Sequence, residues 1–418
     1  MSRFQVLAVA LCVTLNMLDG FDVLVMAFTA SEVAREWGLS GARLGVLLSA
    51  GLFGMAGGSL FVAPWADRFG RRAVILLCLG VITLGMLGAA FAQSPSQLTF
   101  LRVLTGIGVG GILASLNVIT SEYSSRRWRN TAISLQVTGY PIGATVGGTI
   151  AAFLITRYGW RSAFVFGAVA SAVMIPVVIR SLPESLDFLL ARRPPDALAR
   201  LNDLLRRMRR PEVLQLPDRV DKGPVGRNPV SRLFTGPAAR STLLIWSSFF
   251  LLMFSFYFIT SWTPKLLVAA GLSTRQGITG GVLLNLGGIV GGSLFGYLVS
   301  RWPLKLLACL CLAFTASGMV LFGLFAADLR AAFPIALAIG VFLFGSMVGL
   351  YAATPILYPA DIRATGMGWA IGIGRLGAIL APVIAGLLVD RGWGASHLYY
   401  AFAVPLVAAV VAVRALKV

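Results

Sequence analysis

Residues 4–29, FQVLAVALCVTLNMLDGFDVLVMAFT, form an apolar run whose only charged residues are Asp19 and Asp22. The run is long enough for an α-helix that crosses a membrane, which needs roughly 20 apolar residues. Carboxylates at membrane depth are energetically expensive, so they normally face a partner or a watery cavity. The two acids are three residues apart and therefore lie on neighbouring positions of one helical face.

Two interpretations of these acids remain open at this point. In the first, the helix ends near them and both carboxylates lie in the headgroup region. In the second, they form a site inside the membrane that handles a proton or a substrate. The apolar sequence continues through residues 23–28, VLVMAF, and this favours the second interpretation.

The composition of the whole chain indicates a membrane protein. Of its 418 residues, 57% are hydrophobic and only 12% are charged, and the mean hydropathy is +0.85. A soluble chain carries about 25% charged residues. The cysteines and the single histidine have no metal-ligand spacing, so we predict no metal site; these residues are Cys12, Cys78, Cys309, Cys311 and His397.

Twelve apolar spans follow one another along the chain, each about long enough to cross ~30 Å of hydrocarbon as a helix. They lie at about 4–28, 43–64, 72–93, 97–119, 131–155, 161–180, 241–262, 277–299, 303–326, 331–354, 365–389 and 397–416. We therefore predict an all-α integral membrane protein with twelve transmembrane helices in two pseudo-symmetric six-helix bundles.

This division gives three regions: 1–180 as the first bundle, 181–240 as a cytoplasmic linker, and 241–418 as the second bundle. Within the linker, Leu and Arg alternate at helical spacing over Ala197–Arg210, which predicts an amphipathic helix on the inner membrane surface. A solvated linker whose only features are its length and charge is the alternative.

Lys and Arg are concentrated in alternate loops. Basic clusters lie at 68–72, at 126–129 and throughout the linker, so the positive-inside rule places these segments and both termini in the cytoplasm. We predict a multi-pass protein of the bacterial inner membrane. The net charge of +19 is thus an orientation signal. Nucleic-acid binding is not expected, because the basic residues lie in short loops without an aromatic–basic module.

The two halves of the sequence repeat each other. GGSLF occurs at 57–61 and again at 291–295, and RNTA at 129–132 corresponds to RATG at 363–366. A two-fold repeat of six spans is typical of transporters whose halves rock about a binding site between them.

Three motifs resemble the signatures of the major facilitator superfamily: DRFGRR at 67–72, RVLTGIG at 102–108 and LPES at 182–185. This resemblance covers nearly the whole chain. It implies the same fold, with twelve helices in two bundles, that the hydrophobic spans predict.

Within that superfamily, four segments resemble the aromatic acid:proton symporters: LDGFD at 18–22, PESLDFL at 183–189, RATGMGW at 363–369 and GRLGAIL at 374–380. The resemblance implies a secondary active transporter that takes up an aromatic carboxylate, such as a benzoate or a hydroxybenzoate, with protons by alternating access. Its expected partners are that organic anion, protons and the lipid bilayer. We expect it to work as a monomer, without a cofactor, on the proton gradient.

Two alternatives stay open for the function. The Asp-Gly-Phe-Asp element also resembles symporters of non-aromatic carboxylates, such as sialic acid or short-chain acids. Proton-coupled export of a drug or a metabolite is the second alternative.

Arg375 is the main candidate for substrate binding. It lies about ten residues into the eleventh span, hence about 15 Å deep and near the membrane midplane. Its planar guanidinium matches a carboxylate, so we expect it to bind the substrate carboxylate; a helix–helix ion pair or a backbone cap is the alternative. The other predicted substrate-binding residues are Asp19, Asp22, Phe21, Tyr140, Tyr257 and Trp369.

Arg102 is expected at about the height of the two acids of the first span, which predicts an ion pair with one of them. The proton affinity of a carboxylate depends on a neighbouring cation and on burial, so breaking the pair during transport would change it. We assign proton coupling to Asp19, Asp22, Arg102 and Glu122. Glu122 also fits a gate-closing ion pair, because a basic cluster follows it.

Asp67 precedes the third span in a cytoplasmic loop. The resemblance implies that it pins the two halves together, and the start of the eleventh span is the expected target, because an acid can dock on the positive N-terminal end of a helix. The predicted gating residues are Asp67, Arg68, Gly70, Arg71, Arg72, Arg129 and Arg363.

Other function classes lack their motifs in this sequence. We find no nucleophile–base pair that would indicate an enzyme. We also find no Gly-x-x-x-x-Gly-Lys loop of the kind that binds nucleotide phosphates, so we predict neither an enzyme nor an ATP-driven pump.

Overall fold

A computed structural model of the protein describes residues 1–125, 127–216, 233–234, 237–326, 328–358 and 362–416, without the side chains of Asn130, Pro237, Ala238 and Ala364. Arg126 lies outside the described residues, and so do residues 217–232 and 235–236 of the predicted linker. All regular structure in the described part is helical.

Twelve helices among the described residues are long and apolar enough to cross a membrane, which confirms the predicted fold class. The first six are α1 (Arg3–Trp37), α2 (Gly41–Gly57, continued by a π-helical turn, Gly58–Val62), α4 (Arg71–Ala90), α5 (Pro95–Tyr123), α6 (Arg129–Tyr158) and α7 (Arg161–Ser181). The last six are α10 (Pro237–Ala269), α11 (Thr274–Leu298), α12 (Leu304–Phe325), α13 (Leu329–Leu357), α14 (Arg363–Asp390) and α15 (Ala395–Arg414).

Three short helices lie between these spans: α3 (Trp65–Phe69), α8 (Leu186–Arg192) and α9 (Ala197–Arg207). The linker helix α9 is amphipathic, as predicted, and Leu201 and Leu204 on its apolar face are buried by the protein itself. The Arg207 guanidinium lies 5.7 Å from the ring centre of Phe4 in α1. The protein itself therefore covers these two leucines, and the expectation that α9 lies on the inner membrane surface stays a prediction.

The first helix is longer than its hydropathy predicts. The apolar run ends near residue 28, but α1 continues to Trp37 and has 35 residues, about 52 Å. Asp19 and Asp22 consequently lie near the middle of α1. The interpretation in which the helix ends beside the two acids is wrong, because α1 continues past both of them to Trp37. Hydropathy marks the end of the apolar sequence, which is not the end of the helix.

The internal repeat reappears in helix packing. The third span, α4, packs against α5 and α7, and the ninth span, α12, packs in the corresponding way against α13 and α15. Glycines bring the second and fourth spans together: a Cβ at Gly54 or Gly58 would collide with carbonyl oxygens of α5. Gly287 and Gly291 of α11 have the same relation to α13. Such close approach is what small residues provide in membranes.

The centre of α1 packs closely on α6. A Cβ at Gly20 would collide with the carbonyl oxygen of Tyr140, and a Cβ at Gly143 with that of Met17. The amide nitrogen of Asn16 donates a hydrogen bond to the backbone oxygen of Gln136 at 2.6 Å. This contact fixes the segment of α1 that carries both acids.

By packing, the chain divides into two compact units. The first contains residues 1–23, 53–143 and the described residues from 161 to 216. The second contains residues 24–52, 144–160 and the described residues from 233 onward. The later parts of α1 and α6 and the first part of α2 are thus grouped with the last six spans. The division at 181 and 240 stays a prediction.

Replacing Gly143 with Ala should destabilise the protein. The new methyl group would meet backbone atoms of Met17, which cannot move aside as a side chain can, and overpacking of this kind costs about 1–3 kcal/mol. Thermal unfolding in detergent measures the loss. Gly80→Ala is the matched control, since no atom lies within 4 Å of a Cβ there. A melting temperature of Gly143→Ala equal to that of Gly80→Ala would contradict the close contact.

Candidate functional site

Asp22 and Arg102 form an ion pair inside the first unit. The Nη1 atom of Arg102 on α5 lies 2.6 Å from Oδ1 of Asp22 on α1, and Nη2 donates to the backbone oxygen of Asp22, also at 2.6 Å. The exposed fractions of the two side chains are 3% and 4%. The predicted pairing of Arg102 with an acid of the first span is therefore present, and Asp22 is the partner.

Asp19 lies one helical turn from this pair, and no cation among the described residues pairs with it. Its side chain is buried, and its Oδ2 atom has no hydrogen-bond partner among the described residues. Oδ2 of Asp22 and Nε of Arg102 are also buried without partners there. The three groups leave donor and acceptor positions that a proton, a water molecule or a substrate group can occupy.

Two of the predicted aromatic residues, Phe21 and Tyr140, lie near the acids and make different contacts. Phe21 is buried and packs edge-on against Phe166 at 5.3 Å between ring centres, so its ring is a packing element in this structure. Tyr140 is half-buried on α6, and its backbone oxygen lies against Gly20. Met86 completes the surroundings, with its sulfur 3.8 Å from Nη1 of Arg102.

Arg375 lies near the middle of α14. The same face of this helix packs against α2 closer to the C-terminal end of α14. Ser49 donates a hydrogen bond to the backbone oxygen of Ile379 at 2.7 Å, and a Cβ at Gly45 would collide with the oxygen of Pro382. Positions 379, 382 and 386 recur at helical spacing, and Arg375 is the next position on the same face. Arg375 is half-buried and lies one helical turn before Ile379, whose backbone oxygen bonds to Ser49 of α2.

Two phenols from other helices accompany Arg375. Tyr351 of α13 is within electrostatic range of both the Arg375 guanidinium and the Tyr257 hydroxyl of α10. The Tyr351 ring packs edge-on against Phe249 at 5.4 Å, and Phe249 in turn approaches Gly374, the residue before Arg375. A cation, two hydroxyls and an aromatic surface are thus brought together by α10, α13 and α14.

Trp369 is not part of this group. Its ring stacks on Trp246 at 5.7 Å and is 45% exposed. Six residues before Arg375, it is displaced by about 9 Å along α14 and points to another side of the helix. The structure therefore does not bring the predicted substrate-binding residue Trp369 together with Arg375.

Glu122 is also separated from the residues with which the sequence grouped it. It lies about 30 Å from Arg102 along α5. Its carboxylate accepts hydrogen bonds from the Ser185 hydroxyl at 2.8 Å and from the backbone nitrogen of Leu186 at 2.7 Å. Glu122 thus caps the start of α8, and nothing in this geometry links it to the buried ion pair.

Three of the predicted gating residues, Gly70, Arg71 and Arg72, lie at the start of α4. Gly70 has φ +101°, and a Cβ there would collide with the carboxylate of Glu184. Oε1 of Glu184 accepts hydrogen bonds from the backbone nitrogens of Arg71 at 2.8 Å and Arg72 at 3.2 Å, the first residues of α4. No role for Glu184 follows from the sequence alone, because its motif indicates only a family resemblance.

Asp67 itself is largely exposed. Its carboxylate pairs with Arg71 at 3.4 Å and is 75% exposed. Its backbone oxygen accepts a hydrogen bond from Arg192 at 2.9 Å. The remaining gating residues, Arg68, Arg129 and Arg363, are exposed at or near helix starts. The role of Asp67 as a pin on the eleventh span stays a prediction.

Two acids outside every predicted set join helices that are distant in sequence. Asp390 accepts hydrogen bonds from the backbone nitrogens of Gly41 and Ala42, and Glu32 accepts one from Thr274. Both lie at or beyond the edge of an apolar run, where charged residues are common, so hydropathy gave no signal for them. No group of three or more His, Cys, Asp or Glu side chains suited to a metal occurs in the described part of the chain.

Comparison with solved structures identifies the fold. The inward open conformation of the xylose transporter from E. coli superimposes with a TM-score of 0.77 over 98% of this chain and 96% of that one, at 16% sequence identity. A bacterial homologue of the human lysosomal transporter Spinster gives a TM-score of 0.74 at 17% identity, over 99% and 97% of the two chains.

Comparison of sequences identifies the family. The chain is similar to the gallate transporter of Pseudomonas putida, with 34% identity over 99% of this chain and 92% of the relative. It is similar to the 4-hydroxybenzoate transporter of Acinetobacter baylyi, with 30% identity over 99% and 91%. The sequence profile of the Major Facilitator Superfamily matches residues 9–358. The chain therefore belongs to the Major Facilitator Superfamily of transporters.

Proposed function

We propose that this protein is a symporter that brings an aromatic carboxylate into the cell together with protons by alternating access. The observation that carries the proposal is the buried ion pair of Asp22 and Arg102 with the unpaired carboxyl of Asp19 one turn away. It is proposed to act as a monomer in the bacterial inner membrane, with both termini cytoplasmic and without a cofactor.

The two acids are assigned different tasks. Arg102 pairs with the Asp22 carboxylate, and separating such a buried pair would leave both groups without a partner. Asp19 has no cation, and a buried carboxyl without one is far less expensive when it carries a proton. We therefore assign the transported proton to Asp19 and the positioning of Arg102 to Asp22.

Arg375 is assigned to the substrate carboxylate. Its guanidinium offers parallel N–H donors that match two carboxylate oxygens. Tyr257 and Tyr351 add hydroxyl groups that can bond to the carboxylate or to hydroxyls on the ring, and Phe249 adds an aromatic surface. The names of the similar transporters, for gallate, 4-hydroxybenzoate and benzoate, support an aromatic acid as the substrate.

The driving force depends on the number of protons. One proton with one monovalent anion makes an electroneutral cycle that the pH difference alone drives. A second proton makes the cycle electrogenic, and each 100 mV then adds about 2.3 kcal/mol, or about 50-fold in accumulation.

Uptake into proteoliposomes tests the proposed function. With an acidic exterior, radiolabelled 4-hydroxybenzoate or benzoate should accumulate above equilibrium, and a protonophore should abolish the accumulation. An excess of unlabelled acetate or sialic acid should not compete. Competition by these acids would favour a non-aromatic substrate. In whole cells, accumulation that rises with the protonophore would identify an exporter.

Asp19→Asn and Asp22→Asn should fail in different ways. Asp19→Asn should lose uphill accumulation but keep exchange of labelled for unlabelled substrate, because exchange needs no net proton movement. Asp22→Asn should also lower the melting temperature, since removal of one partner from a buried ion pair costs about 3–5 kcal/mol. Accumulation and counterflow assays with thermal unfolding measure both effects.

The double variant Asp22→Asn with Arg102→Gln is the control for this pair. It removes both charges and should regain part of the stability that Asp22→Asn loses. Uphill accumulation by Asp19→Asn at the wild-type level would exclude Asp19 as the proton carrier without affecting the rest of the proposal.

Arg375→Lys should bind the acid poorly although it keeps the charge, because one ammonium group cannot reproduce the two parallel hydrogen bonds. Loss of such a contact costs roughly 2–5 kcal/mol, or ~30- to several-thousand-fold in affinity. Binding of a carboxylate and of its amide analogue is compared in both proteins. The affinity for the amide should be nearly the same in the wild type and in Arg375→Lys.

Arg391→Lys is the matched control, since Arg391 is exposed directly after the same helix. It should leave both affinities unchanged. Equal losses for the acid and the amide in Arg375→Lys would mean that Arg375 supports the structure and does not bind the carboxylate.

A further inference from the structure

Asp390 caps a helix that begins 349 residues earlier in the chain. The Asp390 carboxylate at the end of α14 accepts hydrogen bonds from the backbone nitrogens of Gly41 at 2.5 Å and Ala42 at 2.8 Å, the first residues of α2. These N–H groups have no partner within their own helix, and the helix start is positive. Such groups are usually capped by a residue next to them in sequence. We call this contact the Asp390 latch.

A close helix contact continues behind the Asp390 latch. A Cβ at Gly386 would collide with the oxygen of Gly41, and a Cβ at Gly45 with the oxygen of Pro382. Further into the helices, the Ser49 hydroxyl donates a hydrogen bond to the backbone oxygen of Ile379. The first turns of α2 and the last turns of α14 thus touch along one face, and Arg375 is the next position on that face of α14.

Glu32 makes a second contact of this kind. Its Oε1 atom accepts a hydrogen bond from the Thr274 hydroxyl at 2.7 Å, which joins α1 to the start of α11. Lys265 of α10 is in electrostatic range of the same carboxylate. One turn earlier, the Phe28 ring lies against Gly281 of α11. We call the contact of Glu32 with Thr274 the Glu32 latch.

Both latches lie on one side of the membrane. Helices α1 and α14 end there, and α2 and α11 begin there. The distribution of Lys and Arg predicts that this is the outer side. Each latch joins a helix of the first six spans to one of the last six, so the first repeat can move away from the second on this side only if both latches break.

We propose that Asp390 and Glu32 are the latches of an outer gate, which must open before a substrate from outside reaches Arg375. Three observations carry the assignment: the two carboxylate contacts lie on one side of the membrane, close backbone contact continues behind Asp390, and Arg375 is the next position inward from Ile379 on the same face of α14. The inference rests on the proposed alternating access and not on the identity of the substrate. Hydrogen bonds to a charged group are stronger than those between neutral groups. Loss of the Asp390 latch should therefore shift the ratio of closed to open protein by about 10- to 100-fold.

Labelling of a single cysteine tests the gate. The four native cysteines are replaced by Ala, and Ser49→Cys is introduced, because Ser49 is buried in the contact between α2 and α14. A membrane-impermeant thiosulfonate is added to right-side-out vesicles without substrate. The cysteine should be protected in this background and should react at least about ten times faster after Asp390→Asn or Glu32→Gln.

Asp328→Asn is the matched control. Asp328 lies on the same predicted side, but it caps its own helix, since its carboxylate accepts a hydrogen bond from the backbone nitrogen of Arg330 at 3.0 Å. Among the described residues its side chain bonds to no second span. Its labelling rate should equal that of the background. If Asp390→Asn and Glu32→Gln react no faster than Asp328→Asn, the gate assignment is overturned.

Cross-linking gives an independent test that does not depend on the folding of the Asn variant. Ala42→Cys with Asp390→Cys replaces the Asp390 latch with an oxidisable pair. Oxidation should stop uptake, and a reductant should restore it. Uptake that continues after complete cross-linking would overturn the proposal. Failure of the substrate assignment would leave the labelling result unchanged, since no substrate is present in that experiment.

Discussion

The membrane interior offers no water to a polar group, so every charge there must find its partner within the protein. The Asp22–Arg102 ion pair follows from this constraint, and three helices of the first unit, α1, α5 and α6, position its two residues. Close packing of α1 on α6 fixes the acid, and α5 supplies the cation. Asp19 violates the rule within one helical turn of the pair. Such a group suits the proposed symport, because a carboxyl with no permanent partner can gain and lose a proton during the cycle.

Close approach of helix backbones positions both candidate sites. Gly20 and Gly143 bring α6 against the acids of α1, while Gly374 and Gly377 bring α10 against the segment of α14 that carries Arg375. Helices in lipid gain little from the hydrophobic effect between them, so contact over small residues supplies much of their association. The functional side chains therefore project from segments whose backbones are in close contact with a neighbouring helix.

Carboxylates at helix starts recur where the chain leaves the membrane. Glu184 caps α4, Glu122 caps α8 and Asp390 caps α2, and each comes from a segment distant in sequence. The free N–H groups and the positive end of a helix make this an inexpensive way to join two elements. Such a contact can be broken without unfolding either helix. This property suits a transporter, whose helices must keep their structure while their neighbours change.

The sequence alone determined the number of spans, the two-fold repeat, the family resemblance and the central acids, because hydropathy and motif spacing are local properties of the chain. It also indicated that Arg102 would pair with an acid of the first span, since both heights follow from counting residues along helices. Only the tertiary structure decided that Asp22 is the partner, that Tyr351 accompanies Arg375 while Trp369 does not, and that Asp390 and Glu32 join distant helices. These relations depend on how each helix is rotated about its axis and which neighbour it faces. Contacts between residues on different helices, up to 349 positions apart, set that rotation, and no local pattern records it.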